Sequence, residues 1–294
     1  MREFQDRVAV VTGGGSGIGA ALCWRWATVG MKVVVADIDL AAAERVRGAL
    51  EAAGRWALAT RVDVSKASDV EQLAAVSFNI RGSVDVLCNN AGIVPSGRYR
   101  PIWEYPLEDW QWALDVNLMG VVHGIRSFVP RMLAQNTPSH IVNTASVAGL
   151  VSGSGSPVYS AAKHAVVRAT EALYASLREQ GAPIGVTLLC PGLVNTRIYE
   201  SERNRPENLR PALGAAAETP QLQAVAADLY AHALSPEAVA EQVFDAVQAQ
   251  RLYQITSDRY DDAIRERAEA ILGRRNPVFP SLLDLSLRDR KVSP

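Results

Sequence analysis

Short β-branched runs alternate with longer, alanine-rich amphipathic stretches along most of this 294-residue chain. Strand-like runs fall at Arg7–Thr12, Lys32–Ala36, Ala57–Val62, Val84–Asn89, His140–Thr144, Gly185–Cys190 and Leu252–Thr256. Helix-like segments lie between them, near 17–29, 40–53, 67–81, 107–135, 157–180 and 236–250. Strands that are apolar almost throughout need cover on both faces, and intervening helices supply it through right-handed crossovers. The pattern predicts an α/β fold: a doubly wound parallel sheet with helices on both faces. Ser235-Pro236-Glu237 reads as a helix start, with a hydroxyl cap, a proline at the first position and an acid at the positive dipole end.

One stretch breaks the rhythm. Residues 193–233 are polar and proline-bearing, and they follow a strand end, where open α/β sheets place their ligands. The expectation is a substrate lid, with a plain surface insertion as the alternative. Residues 276–294 lack periodicity and read as a tail or a subunit-contact arm. The whole, 1–294, is expected to be a single domain.

Bulk properties narrow the function classes. A net charge of −1 with both signs interspersed gives no footprint for nucleic acid or an anionic membrane. No apolar run approaches the roughly 20 residues that span a bilayer. The opening MREFQDRVAVVTGG has no basic region before a long apolar one, so no secretory signal is expected and the cytoplasm is the default. Cys23, Cys88 and Cys190 are scattered in apolar stretches and read as reduced core residues. No metal site is expected, because the histidines lack ligand spacing.

Two motifs carry chemistry. Gly13-Gly14-Gly15-Ser16-Gly17-Ile18-Gly19 follows a strand and opens a helix, the setting in which backbone amides approach a pyrophosphate at a helix N-terminus. Asp37 ends the second strand, eighteen residues beyond Gly19, where an acid can hydrogen-bond an adenosine ribose. Such an acid repels a 2′-phosphate, and neither Ser16 nor Ile38 offers a compensating positive charge. NAD(H) is therefore favoured over NADP(H), although NADP is not thereby ruled out. Tyr159 and Lys163 stand four apart on one helical face, with Ser146 thirteen positions before the tyrosine. An ammonium beside a phenol favours the phenolate, and a nearby hydroxyl can hold a carbonyl oxygen against it. Each residue alone has an ordinary structural explanation; their joint spacing is what carries the reading.

These residues resemble the short-chain dehydrogenase/reductase family over most of the chain. Thr12, Gly13, Gly17 and Gly19 match its Thr-Gly-x-x-x-Gly-x-Gly motif, and Asn89-Asn90-Ala91-Gly92 its Asn-Asn-Ala-Gly turn. Asp63-Val64 resembles its adenine contact, Asn117 its helix asparagine, and Ser146, Tyr159 and Lys163 its catalytic residues. Pro191-Gly192-Leu193-Val194-Asn195-Thr196 resembles the loop that holds the nicotinamide carboxamide. The resemblance implies a Rossmann-type sheet of about seven strands and an NAD(P)-dependent alcohol dehydrogenase or ketone reductase. Tyr159 would be acid or base, Lys163 would lower its pKa and bind the ribose, Ser146 would polarise the carbonyl, and Asn117 would hold a relay water. Gly15, Ser16, Ile18, Asn90, Ala91, Gly92, Pro191, Gly192, Val194 and Thr196 would join the glycines, Asp37, Asp63 and Val64 around the cofactor. It also implies a homodimer or homotetramer.

Substrate evidence is thinner. Ile93, Val94, Tyr99, Trp103, Val147–Ser152, Leu193, Ile198 and Tyr199 are expected to wall the pocket, and most are apolar or aromatic. A hydrophobic secondary alcohol or its ketone, aromatic ones included, is the favoured substrate. The runner-up is an NADP(H)-dependent carbonyl or 3-oxoacyl reductase. A nucleotide-sensing protein without turnover is a third reading, opposed by the intact catalytic spacing. Arg197, Arg203 and Arg205 read as a solvated charged loop, with an acidic substrate group as the alternative.

Overall fold

In β1 (Val8–Thr12) the side chains of Ala9 and Val11 join one apolar cluster and those of Val8 and Val10 another. That period-two split is what a strand covered on both faces requires. It comes from a computed structural model that describes residues 3–95, 101–151, 156–211, 230 and 233–278. Among the described residues, six further strands complete the sheet: β2 (Lys32–Asp37), β3 (Ala57–Arg61), β4 (Val86–Asn89), β5 (Ser139–Thr144), β6 (Ile184–Cys190) and β7 (Tyr253–Ile255). All neighbours run parallel, in the order β3-β2-β1-β4-β5-β6-β7. The order reverses between β1 and β4, which opens a crevice beyond their C-terminal ends.

On one face, α1 (Gly17–Thr28) and a later helix, Pro236–Gln248, bring Leu22, Trp26, Val239, Val243 and Phe244 onto Val11, Val33 and Val35. Phe4 joins Trp26 and Phe244 there, with ring centroids 5.1–5.9 Å apart. After α1 come α2 (Leu40–Ala52), α3 (Ala67–Asn79), α4 (Leu107–Ala113), α5 (Gly120–Gln135) and α6 (Pro157–Glu179). The Pro236–Gln248 helix is α7, and α8 spans Asp261–Leu272. Leu73 of α3, Phe128 and Met132 of α5, and Leu173 and Leu177 of α6 cover the opposite face. Each fully buried aromatic or aliphatic side chain contributes roughly 1.5–3 kcal/mol of transfer free energy.

A polar thread crosses this second core. Asn89 donates from Nδ2 to Asn143 Oδ1 (2.8 Å), Asn143 donates to Thr170 Oγ1 (3.1 Å), and Thr170 donates to the Val166 carbonyl (2.7 Å). Hydrogen bonds inside an apolar layer fix register, so β4, β5 and α6 are locked together two turns from Lys163.

The strands agree with the sequence reading to within two residues at their ends. The 107–135 segment does not run as one helix: α4 passes through a π turn, Leu114–Met119, before α5 begins. Helix α8 was not anticipated, although Asp261 and Asp262 in its first turn are a start signal. Ser235 caps α7 as expected, accepting from Ala238 N at 3.1 Å. Of the 193–233 stretch, Ile198–Asn204 and Glu207–Leu209 form 3-10 turns. Residues 212–229, 231–232 and 279–294 lie outside the described part.

Candidate active site

The crevice predicted by the strand order holds a cavity of about 480 Å³. It runs from the glycine turn and Asp37, past Asp63, Val64 and Asn90–Gly92, to Ser146, Tyr159 and Lys163, and is closed by the Pro191–Thr196 loop. Every residue assigned above to cofactor or chemistry lines it except Gly15 and Asn117.

The nucleotide end is built by close backbone approach. Gly13 has φ +66°, and a Cβ there would lie 2.9 Å from Ala91 Cα. A Cβ on Gly19 would fall 2.0 Å from the Gly13 carbonyl oxygen, so the turn and helix α1 meet only without a side chain. Ser16 occupies the N-cap of α1 without a side-chain hydrogen bond to the first turn, and Ser16, Gly17, Ile18 and Gly19 all line the cavity. Thr12 ties the two loops: Asn90 N and Ala91 N donate to its Oγ1 at 2.9 and 3.1 Å, and Asn90 Nδ2 donates to its carbonyl at 3.1 Å.

Gly15 does not face the cavity. Its N–H donates to Asp37 Oδ2 at 2.9 Å, while Asp39 N donates to Oδ1 at 3.0 Å. Gly15 thus orients the acid instead of approaching a phosphate. Asp63 accepts from Ser65 N (3.1 Å) and Ser65 Oγ (2.6 Å). His123 donates from Nδ1 to the Val64 carbonyl at 2.9 Å, bracing that corner; an oxygen with no proton leaves the ring as donor.

At the other end, Ser146 lies two residues beyond β5 and caps a 3-10 turn, accepting from Ala148 N (3.1 Å) and donating to the Pro191 carbonyl (3.3 Å). Helix α6 begins at Pro157 and sets Tyr159 and Lys163 one turn apart. Tyr159 is half-buried and lines the cavity; burial pushes its pKa up, and a hydrogen bond with Ser146 acts the other way. Burial pushes Lys163 down to about 8. Its Nζ donates to the Thr144 carbonyl at 2.9 Å and lies 5.7 Å from the Tyr159 ring centroid. Lys163 is not among the groups that shift Tyr159 here. In this geometry desolvation dominates at Tyr159, and Lys163 is engaged by the sheet.

Asn117 is fully buried on the π turn, accepting from Ile93 N (2.8 Å) and donating to the Ile93 carbonyl (2.9 Å). It pins the backbone of a cavity-lining residue, and its side chain is satisfied by that segment. Gly92 separates it from the lysine: a Cβ there would lie 3.1 Å from Asn117 Oδ1 and 3.2 Å from Lys163 Nζ.

The outer wall departs in part from expectation. Ile93, Val94, Val147, Leu193 and Ile198 line the cavity as anticipated, joined by Trp112, Ser201, Leu209, Tyr230 and Tyr260, which were not. Tyr199 lies off the wall, stacked on Tyr230 at 5.1 Å. Trp103 is 81% exposed and lines nothing here, while Tyr99 and Ser152 fall outside the described residues. Of the three arginines, Arg197 and Arg203 are exposed as expected, whereas Arg205 is not. Arg197 pairs with Glu200, Arg203 donates to the carbonyls of Arg197 (3.0 Å) and Glu200 (2.8 Å), and Arg205 is buried against Asp109. What buries Arg205 is long-range, since Asp109 lies 96 positions away.

Comparison with known proteins agrees with this geometry. A solved short chain dehydrogenase/reductase from Burkholderia phymatum, in complex with NAD, superposes with a TM-score of 0.87 at 43% identity, covering 95% of this chain and 99% of that one. The 1-deoxy-11-beta-hydroxypentalenate dehydrogenase of Streptomyces exfoliatus is 37% identical over 272 residues, 90% of each chain. The meso-2,3-butanediol dehydrogenase of Serratia marcescens is 37% identical over 230 residues, 77% of this chain and 88% of that one. The family model described as short chain dehydrogenase matches residues 7–207. With the sheet order, the glycine turn and the Ser146, Tyr159 and Lys163 constellation in one cavity, the chain belongs to the short-chain dehydrogenase family.

Proposed function

We propose that this protein is an NAD-dependent oxidoreductase that interconverts a hydrophobic secondary alcohol and its ketone. The observation that carries the reading is the single cavity joining Asp37 at one end to Ser146, Tyr159 and Lys163 at the other. The residues fit a dinucleotide. The glycine turn leaves room that any Cβ would fill, and an acid held by Gly15 N stands where the adenosine ribose would lie. The bound nicotinamide supplies hydride transfer. Asp63 and Val64 would hold the adenine, Asn90–Gly92 would line the adenosine site, and Pro191, Gly192, Val194 and Thr196 would hold the nicotinamide end.

The chain's own groups do the proton chemistry. Ser146 Oγ holds the substrate oxygen by exchanging its bond to the Pro191 carbonyl. Tyr159 gives or takes the proton at that oxygen, and the buried Lys163 charge anchors the ribose side of the cavity. Asn117 keeps Ile93 in the wall. The residues Ile93, Val94, Trp112, Val147, Leu193, Ile198 and Leu209 make the substrate end mostly apolar, which favours a hydrophobic substrate, with the exposed Arg197 and Arg203 on its rim. The relatives named above act, by their names, on hydroxylated compounds. Assembly as a homodimer or homotetramer, and a cytoplasmic location, belong to the same reading.

A panel of aryl and aliphatic secondary alcohols and ketones, followed at the nicotinamide absorbance with both cofactors, tests it. Turnover with NAD(H) that disappears in Tyr159→Phe is the expected result. Turnover confined to NADP(H), or none across the panel, would sink it.

A further inference from the structure

Arg205 carries a full charge yet its side chain is only 1% exposed. Its Nη2 pairs with Asp109 Oδ1, its Nη1 with Glu202 Oε1 at 3.0 Å, and its Nε donates to the Leu209 carbonyl at 2.8 Å. The guanidinium also lies over the Trp112 ring, 4.7 Å from the centroid. Asp109 and Trp112 sit three apart on one face of α4, whereas Glu202 and Leu209 belong to the two 3-10 turns. One planar fork therefore ties both turns to the helix, a task a point-charge lysine could not repeat. A second seat lies nearby, where Val94 N donates to Ser201 Oγ at 3.1 Å. Trp112, Ser201 and Leu209, the residues these contacts hold, are themselves cavity wall.

We propose that Arg205 is a positioning residue: by clamping the 198–209 segment to α4 it sets the outer wall of the substrate end, and with it substrate affinity, while touching no reacting atom. The proposal deepens the functional reading above and rests on it for the identity of the substrate end. Burial makes the pair costly to break from one side only.

The test compares the parent with Arg205→Met and with Arg205→Met/Asp109→Met, in which an apolar pair fills the same space. Hydrogen–deuterium exchange of peptides spanning 198–209 reads the clamp, and steady-state oxidation of 1-phenylethanol with NAD reads its consequence. In Arg205→Met the segment should exchange faster and KM for the alcohol should rise about tenfold, with kcat and NAD affinity little changed. The double variant, freed of an uncompensated Asp109, should fold better than the single one yet keep the faster exchange and the raised KM, because no apolar pair replaces the bonds to Glu202 and the Leu209 carbonyl. Unchanged exchange in the single variant, or a fall of kcat, KM and NAD affinity together, overturns the proposal. A parent that oxidises no alcohol with either cofactor overturns the functional reading instead, and the exchange measurement then decides the clamp alone.

Discussion

Lys163 Nζ donates to the backbone carbonyl of Thr144 at 2.9 Å, joining α6 to the C-terminal end of β5. Thr144 Oγ1 in turn donates to Asn90 Oδ1 at 3.3 Å, so the lysine is connected to the turn that walls the nucleotide end. Helix α6 is thereby anchored to the sheet by a buried charge.

That charge is costly to the fold. Burial lowers Lys163 from the ordinary 10.5 to about 8. Below pH 8 both folded and unfolded chains carry the proton, and the folded state bears the whole penalty. Between 8 and 10.5 the unfolded chain binds a proton the native one lacks, so stability rises with pH by about 3 kcal/mol from this group. Lys163→Met should therefore have its largest stability advantage over the parent below pH 8, shrinking by about 3 kcal/mol toward pH 10.5. Urea unfolding of both proteins across that range checks it; a difference independent of pH would refute the assignment.

Tyr159→Phe should lower kcat by about 10²–10⁴-fold, the range for loss of a positioned acid or base. NAD affinity, measured by titration calorimetry, should hardly move. A variant that retains parental kcat places the proton transfer elsewhere.

Asp37 holds Gly15 N as well as facing the cavity. Asp37→Ala should weaken NAD binding by about 10- to 100-fold, as expected for loss of a charge-assisted hydrogen bond of about 1.5–3 kcal/mol. The NADP:NAD ratio of kcat/KM should rise, since the repulsion toward a 2′-phosphate is gone. Parallel loss with both cofactors would mean that Asp37 serves the turn alone.

His140 is buried at the base of β5, and burial lowers its pKa from 6.5 to about 3. Thr187 Oγ1 spends its proton on the Arg251 carbonyl (2.8 Å), so His140 Nε2 is the donor in the 2.8 Å contact with Thr187. As pH falls from 6.5 toward 3 the unfolded chain gains a proton that the native ring refuses. Stability from this group is full above 6.5 and is lost on acidification, by up to about 5 kcal/mol. His140→Asn should move the acid-unfolding midpoint to lower pH by circular dichroism; an unmoved midpoint would show that other groups control acid denaturation.

Much was legible in the chain because its determinants are local. Period-two burial, glycines where backbones touch, and a tyrosine and lysine one turn apart are short-range constraints, and they gave the strands, the glycine turn and the Ser146, Tyr159 and Lys163 set. Helix α8 escaped notice because only Ala263 and Ala270 are buried along it, a stripe too thin to register as periodicity. The break at Leu114–Met119 escaped because no proline or glycine lies within it, and the contact made from it, Asn117 with the Ile93 backbone 24 positions earlier, is long-range.

By itself, then, the sequence determined the α/β class, the strand boundaries and which residues could do chemistry, since these follow from the size, polarity and spacing of near neighbours. Only the tertiary structure decided what surrounds those residues. Gly15 turned to Asp37, Lys163 met Thr144 before Tyr159, and Arg205 sank beside Asp109. Desolvation and long-range pairing depend on what the fold brings close, and no local pattern encodes that distance.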